Sequence, residues 1–309
     1  MNLNHNAVKI VRKMLREAEE LRINSAKVGG ATLIDCGVHA EGSVNAGELF
    51  IRACMGGLAE VKFSQGENGL QLVEVATEHP ALACFGSQKA GWRVAEGNYY
   101  AIASGPARIL ARKPRETYEN LGYSERTDEA LITLEAGGYP STTLVGRIAK
   151  ACNIAIENLY ILIARTASLV GSIQISARAA ETALFKLNRL GYDINIIEHA
   201  SGLAPVAPVV GDDAVMMGVT NDMIIYGSRV YITSPVGLEV ERIPSSSSHA
   251  YGKPFGEIFK EAGHDFYKID QDIFAPAEVH FKNTSTGEMI KAGRVNYEII
   301  KRSGMYNQL

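Results

Sequence analysis

Apolar residues recur at three- and four-residue intervals over Ala7, Val11, Met14, Ala18 and Leu21, with charges between them. That spacing predicts an amphipathic first helix, with Asn4 as its capping residue. Gly29 and Gly30 then open a strand over 31–36, and a second helix is predicted over 46–55, closed by Gly56 and Gly57. Beyond it, AEVKFS and LQLVEVAT flank QGENG and predict a β-hairpin. Strands follow over 99–103 and 130–135, then a helix over 142–152 capped by Ser141 or Thr142, then a buried strand over 159–165. SARAAETALFKLNRLG is the clearest helix: Ala180, Ala183, Leu184 and Leu187 share one face, and Gly191 takes the C-cap position. The segment before it, SLVGSIQIS, reads as a loop of small, weakly charged residues. The rest predicts a strand over 194–198, a hairpin over 223–233, a polar loop at 245–248, a short helix over 255–262 and a hairpin around TSTGE.

Strands and helices mix without strict βαβ alternation, which points to an α+β fold. A chain of 309 residues is long enough for about two domains. The reading places an N-terminal α+β domain over 1–150 and a C-terminal α+β domain over 151–309, packed closely. The boundary falls near 137–140 or in the loop before Leu159, and no Pro- or Ser-rich linker marks it.

Composition narrows the functional classes. Apolar residues at 46% and charged residues at 21% fit a compact protein and exclude a disordered or fibrous one. The net charge of -3, without any basic run, argues against a nucleic-acid partner. The longest strongly apolar stretch, 159–164, is far short of the roughly 20 residues of a membrane-spanning helix. The charged N-terminal stretch lacks a signal-peptide core, so the expected location is the cytoplasm. Cys36, Cys54, Cys84 and Cys152 are too sparse for a disulfide scaffold and are expected to be reduced and buried.

Several chemistries lack their signatures. The seven histidines form no H-E-x-x-H or other close pair, so no metal is expected. Neither G-x-G-x-x-G after a strand nor a P-loop is present, because Pro254 follows Gly252 and Lys253 where a hydroxyl is required. The G-x-S-x-G elbow is also missing.

Three segments remain as candidates. Arg178 and Glu181, three residues apart on one helix face, are either an exposed ion pair or a pair that faces substrate across the start of the helix. Lys89 in FGSQKAGW, beside the only tryptophan, Trp92, is either a solvated charge or a donor aimed at an oxyanion. SSSSHAYGKPF offers hydroxyls and Lys253 to an anion, or is a flexible loop.

Taken together and in order, GATLIDCGV, AGELF, CMGGLA, GSQKAGW, ASGPARILARKP, ITLEA, SLVGSIQIS, GLAPVAP, TNDMIIYG, SSSSHAYGKPF, DFYKID and FAPAEV resemble the methenyltetrahydromethanopterin cyclohydrolase family over nearly the whole chain. GLAPVAPVVGDDAVMMGVTND and the ARAAET helix look more like the bacterial members. The resemblance implies hydrolysis of methenyl-tetrahydromethanopterin to the formyl derivative, with no metal and no cofactor beyond the pterin substrate. It also implies a homotrimer whose two-domain subunits hold the pterin in a pocket between the domains. The family's Lys, Arg and Glu fall on Lys89, Arg178 and Glu181 as catalytic residues, with Gln88, Trp92, Ser172 and Glu135 as substrate-binding residues. A non-catalytic pterin carrier is the alternative, which loss of the Glu would have favoured.

Overall fold

The computed structural model describes residues 1–66, 69–263, 265 and 268–305. Glu67 and Asn68 of the QGENG turn, His264, and Phe266 and Tyr267 of DFYKID lie outside them. The chain forms two compact units, Met1–Ala59 with Ala81–Gln174, and Glu60–Pro80 with Ile175–Leu309. Each holds one six-stranded mixed sheet with helices, an α+β fold of two domains.

In chain order the elements begin with α1 (Leu3–Arg16), α2 (Ala18–Leu21), β1 (Asn24–Val28), β2 (Ala31–Gly37), α3 (Val44–Cys54), β3 (Glu60–Gln65) and β4 (Gln71–Thr77). A π-helix, Ala81–Gln88, leads to β5 (Trp92–Glu96), β6 (Tyr99–Ser104), α4 (Ala107–Ala111), α5 (Arg115–Leu121), β7 (Ala130–Glu135), α6 (Thr142–Cys152) and β8 (Leu159–Ala164). Then come α7 (Leu169–Ser176), α8 (Ala179–Arg189), β9 (His199–Pro205), α9 (Asp213–Gly227), β10 (Arg229–Ser234), α10 (Phe255–Glu261), β11 (Glu278–Asn283), β12 (Met289–Gly293) and α11 (Tyr297–Ile300).

The first sheet has the order β1-β2-β8-β7-β6-β5, with β2, β8 and β7 parallel at its centre. In β8 every residue but Tyr160 is buried, as a parallel strand covered on both faces requires. Ile161 and Ile163 pack with Leu144, Val145 and Ile148 of α6. Leu162 and Ala164 pack on the other side with Val8, Val11 and Met14 of α1 and Phe50 of α3. Each such fully buried Ile or Leu contributes about 1.5–3 kcal/mol.

The cap of α1 is Asn2, not Asn4. Asn2 has extended backbone (φ -137, ψ 104) and its side chain accepts from His5 N. Asn4 is fully buried inside the helix, where Nδ2 donates to Pro106 O (2.9 Å) and Oδ1 accepts from Leu131 N (3.1 Å). Gly29 and Gly30, both with positive φ, turn the chain between β1 and β2. Strand β1 escaped notice because it is an edge with no fully buried residue.

The second sheet has the order β12-β11-β10-β9-β4-β3, and two of the three predicted hairpins, β3–β4 and β11–β12, form. Other expectations fail here. Ile194–Ile196 is a 3₁₀ turn, and the strand is HASGLAP further on. Its small residues carry no apolar signal, yet packing demands them: a Cβ on Gly202 would lie 2.6 Å from Ala180 N and 2.9 Å from Ala179 Cβ. The hairpin predicted over 223–233 is the end of α9 followed by β10. Met216, Val219, Met223, Ile224, Ile225 and Tyr226 are all buried, so α9 lacks an amphipathic period and its Ile-Ile-Tyr run imitates a strand. SLVGSIQIS is likewise helical, as α7, with Val170, Ser172 and Ile173 fully buried.

Candidate active site

The carboxyl ends of β2, β7 and β8 lie together because these strands are parallel neighbours. Ligands of open sheets that contain parallel strands gather at such ends. Asp35, fully buried on β2, accepts from the backbone N–H groups of Gly37 (2.9 Å), Val38 (2.6 Å), His39 (2.8 Å) and Ala40 (3.2 Å), and from Tyr139 Oη (2.9 Å). Burial pushes its carboxyl up, but the donors from Val38, His39, Gly37 and Tyr139 outweigh that and hold it below the usual range. Burial, then the bond to Asp35, pushes the Tyr139 phenol up to about 12. Asp35 thus stays ionised and shapes the loop after β2, while His39 meets the Tyr139 ring edge-on.

Glu135, the last residue of β7, accepts from Thr166 Oγ1 at 2.7 Å and from Gln174 Nε2 at 3.1 Å. Two donors fix its carboxylate at the sheet's carboxyl edge. Gln174 reaches it from α7, whose start is set by Ser168: Oγ donates to Arg165 O (2.7 Å) and accepts from Gly171 N (3.0 Å). Gly171 permits this turn, since a Cβ there would lie 1.9 Å from Arg165 O. Ser172, the predicted binding residue of this segment, has a fully buried side chain within α7.

Gln88 ends the π-helix and Lys89 follows it. Lys89 N donates to Cys84 O at 2.7 Å, an i to i−5 bond, and the ammonium lies 3.9 Å from the centroid of the Phe85 ring. Such π-helical segments occur often at functional sites. Gln88 is buried, and Trp92, half-buried at the start of β5, packs against the core beneath it.

Arg178 and Glu181 belong to the second unit. Arg178 is the N-cap residue of α8 and Glu181 lies in its first turn, where the helix dipole favours a carboxylate. Glu181 is 7% exposed, so the exposed-pair reading does not hold. Helix α8 is buried on several sides. At its far end Lys186 and Arg189 meet Asp272 at 3.2 and 3.0 Å.

The SSSSHAYGKPF segment is spoken for within the fold. Ser245 Oγ donates to Ile225 O (2.5 Å), Ser248 Oγ to Asp270 (2.7 Å), and Lys253 pairs with Glu261 (2.7 Å). The four cysteines are free and buried, and burial pushes the Cys152 thiol up to about 12. Among the described residues no group of three or more His, Cys, Asp or Glu is arranged to hold a metal. No helix among them is long and apolar enough to cross a membrane.

Sequence reasoning thus named Lys89, Gln88 and Trp92 on one segment, and Glu135 at the sheet edge. It missed Asp35, Tyr139, Thr166 and Gln174, although GATLIDCGV and SLVGSIQIS contain two of them.

A family model described as Cyclohydrolase (MCH) matches residues 2–304. The chain is 47% identical to the methenyltetrahydromethanopterin cyclohydrolase of Methanocaldococcus jannaschii, with 100% of both chains covered. It is 46% identical to that of Methanothermobacter marburgensis, covering 98% of this chain and 99% of the relative. Identity to the same-named protein of Methanococcus maripaludis is 44%, with 100% of both covered.

Proposed function

The chain belongs to the methenyltetrahydromethanopterin cyclohydrolase family, and we infer from this that it hydrolyses 5,10-methenyltetrahydromethanopterin to the formyl derivative. It is an enzyme, a hydrolase acting on a cyclic amidine. The observation that carries the reading is the full-length match to relatives named for that activity, which favours turnover over a non-catalytic pterin carrier.

The residue roles follow from the chemistry. The methenyl carbon shares positive charge with two nitrogens and is already electrophilic, so the reaction asks for one placed and activated water. Neither a metal nor an organic cofactor is needed in this scheme. We assign Glu181 as the general base that takes a proton from the water as its oxygen bonds to the methenyl carbon. Glu181 lies in the first turn of α8, where the helix dipole favours negative charge. The same carboxyl then returns that proton to the arylamine nitrogen as the C–N bond breaks, while the remaining hydroxyl proton is released to solvent, leaving the formyl group on the pterin-side nitrogen and one proton set free overall. Arg178 cannot be the base, because a guanidinium keeps its proton, and its role is to hold or orient the carboxylate. Lys89 donates to the forming oxygen.

Glu135, Gln88, Trp92 and Ser172 are the binding set of this proposal. Support is strongest for Glu135, whose carboxylate is held by Thr166 and Gln174 at the end of parallel strands. Ser172, buried within α7, stays in the set through the resemblance of its segment alone.

The test is to follow the methenyl chromophore of the substrate with purified protein in the presence of a chelator. Rapid loss of absorbance supports the reading. Binding without decay would mean a carrier, and loss of turnover on chelation would overturn the metal-free scheme. The resemblance also supports a cytoplasmic homotrimer acting on a small-molecule pterin. Light scattering then reads about three times the 33.4 kDa chain mass.

A further inference from the structure

The π-helix ahead of Lys89 ends in an irregular stretch whose backbone needs partners. The last carbonyls of any helix lack partners within it, and a buried carbonyl left unmatched is destabilising. Arg108, in the short helix α4, is fully buried. Its Nη1 donates to Lys89 O, to Ser87 O (3.3 Å) and, at the limit of reach, to Gly86 O (3.5 Å). Its Nε donates to Lys113 O at 2.9 Å. Other donors complete the clamp: Tyr118 Oη to Gly86 O (2.7 Å), Gly105 N to Ser87 O (2.8 Å) and Ser87 Oγ to Cys54 O (2.6 Å).

We propose that Arg108 is a positioning residue for the reaction: by gathering the carbonyls of Ser87 and Lys89 it holds the peptide from which the Lys89 side chain is aimed. The inference rests on the donor role assigned to Lys89. It adds a residue that acts through the Lys89 peptide. Arg suits the task where Lys would not. The planar guanidinium presents fixed donors in two directions, so one side chain spans Lys89 O and Lys113 O, which lie on separate segments. A lysine ammonium on its flexible stem is a point charge and does not reproduce that fork.

The geometry also explains the glycine of the KAGW string. A Cβ on Gly91 would lie 2.4 Å from Arg108 Nη2 and 2.9 Å from its Cζ, so Gly91 leaves the space the guanidinium fills. GSQKAGW and ASGPARILARKP are therefore two halves of one device.

The experiment is a double-variant cycle on kcat and KM with Arg108→Lys, Lys89→Ala and the pair combined, with thermal unfolding recorded for each. Displacing a reacting group by about 1 Å lowers rate by as much as 100-fold. Arg108→Lys is expected to lower kcat about 10- to 100-fold and to move KM much less. In the Lys89→Ala background the same change should lower kcat by less than about twofold, because the group it aims is gone. Wild-type kcat in a folded Arg108→Lys protein overturns the proposal, as does a loss that multiplies in the combined variant, the mark of an independent structural role. If Arg108→Lys does not fold, Gly91→Ala takes its place in the cycle, since it displaces the guanidinium while keeping it, and the same two outcomes decide. Lys89→Ala at the wild-type rate would instead remove the Lys89 role itself.

Discussion

Two of the side chains assigned to the reaction, Lys89 and Glu181, are held by opposite means. Lys89 follows a π-helix, an irregular backbone whose carbonyls are gathered by the buried Arg108 and by Tyr118. Glu181 sits in the first turn of a regular α-helix that supplies its own hydrogen bonds and is anchored by charge at the far end, through Lys186, Arg189 and Asp272. An irregular segment depends on particular donors at particular carbonyls. A regular helix needs only to be kept in place, so damage at its anchor should reach stability before it reaches chemistry.

The comparison is broken most directly at the carboxylate. Glu181→Gln keeps the shape and hydrogen-bonding capacity but cannot accept the proton, so turnover should fall by about 10² to 10⁴ while pterin still binds. Stopped-flow absorbance for turnover and calorimetry for binding check this. Normal turnover would dismiss Glu181 as the base. Next in size is Lys89→Ala, which should lower kcat by about 10² to 10³ with a smaller change in KM, as loss of one preorganised donor does. An unaltered kcat would return Lys89 to a solvated charge.

Two stability measurements sharpen the other half. Asp272→Asn leaves the ammonium of Lys186, whose side chain is 2% exposed, without a charged partner there. Unfolding free energy should drop by about 1–3 kcal/mol, with kcat at 25 °C changed less than about threefold. A large loss of kcat in a stable Asp272→Asn protein would show that the far end of α8 tunes the chemistry after all.

A pH-dependent effect arises in a helix whose buried acid is only half matched. Asp222 of α9 accepts from Phe255 N at 2.8 Å through Oδ1, while Oδ2 has no hydrogen-bond partner among the described residues. Burial raises its carboxyl from 3.8 to about 8 in the folded chain. Between those values the folded state keeps a proton that the unfolded state has lost, so stability falls as pH rises. The loss is absent below the unfolded value and complete above about 8. Asp222→Asn removes it. Against the wild type, the variant should gain up to about tenfold in folding equilibrium per pH unit across that window. Parallel midpoints at pH 5 and pH 8 would refute a raised carboxyl.

Elements with one-sided or central burial were legible. Strand β8, helix α6 with its Ser141 cap, and the two hairpins of the second sheet follow from local pattern. Elements whose residues are chosen by a close neighbour were not. HASGLAP is a strand because α8 presses on Gly202, and α9 is a helix although Ile224, Ile225 and Tyr226 favour strands. The same split runs through the candidate site. Strings such as GSQKAGW exposed Lys89 and Gln88, since residue types and order suffice to notice them. Their supports stayed hidden because they act across the chain: Tyr139 reaches Asp35 over 104 positions, and Arg108 reaches Ser87 over 21. The burial of Glu181 was invisible for a related reason, as a charged residue three places from an arginine looks like a surface pair until packing is seen.

The path of the chain between the two units bears on how the molecule is made. Strands β3 and β4 leave the first unit's sequence only to join the second sheet, where β4 pairs with β9, Thr77 against Ala200 and Leu72 against Pro205. During synthesis this hairpin emerges long before its neighbour exists, and the inner edge of β4 must wait with its N–H and C=O groups unpaired. Waiting edges invite wrong partners. Outward charges at Glu60, Lys62 and Glu74 make the early hairpin a poor template for another copy, so part of its sequence is explained by the interval before β9 arrives.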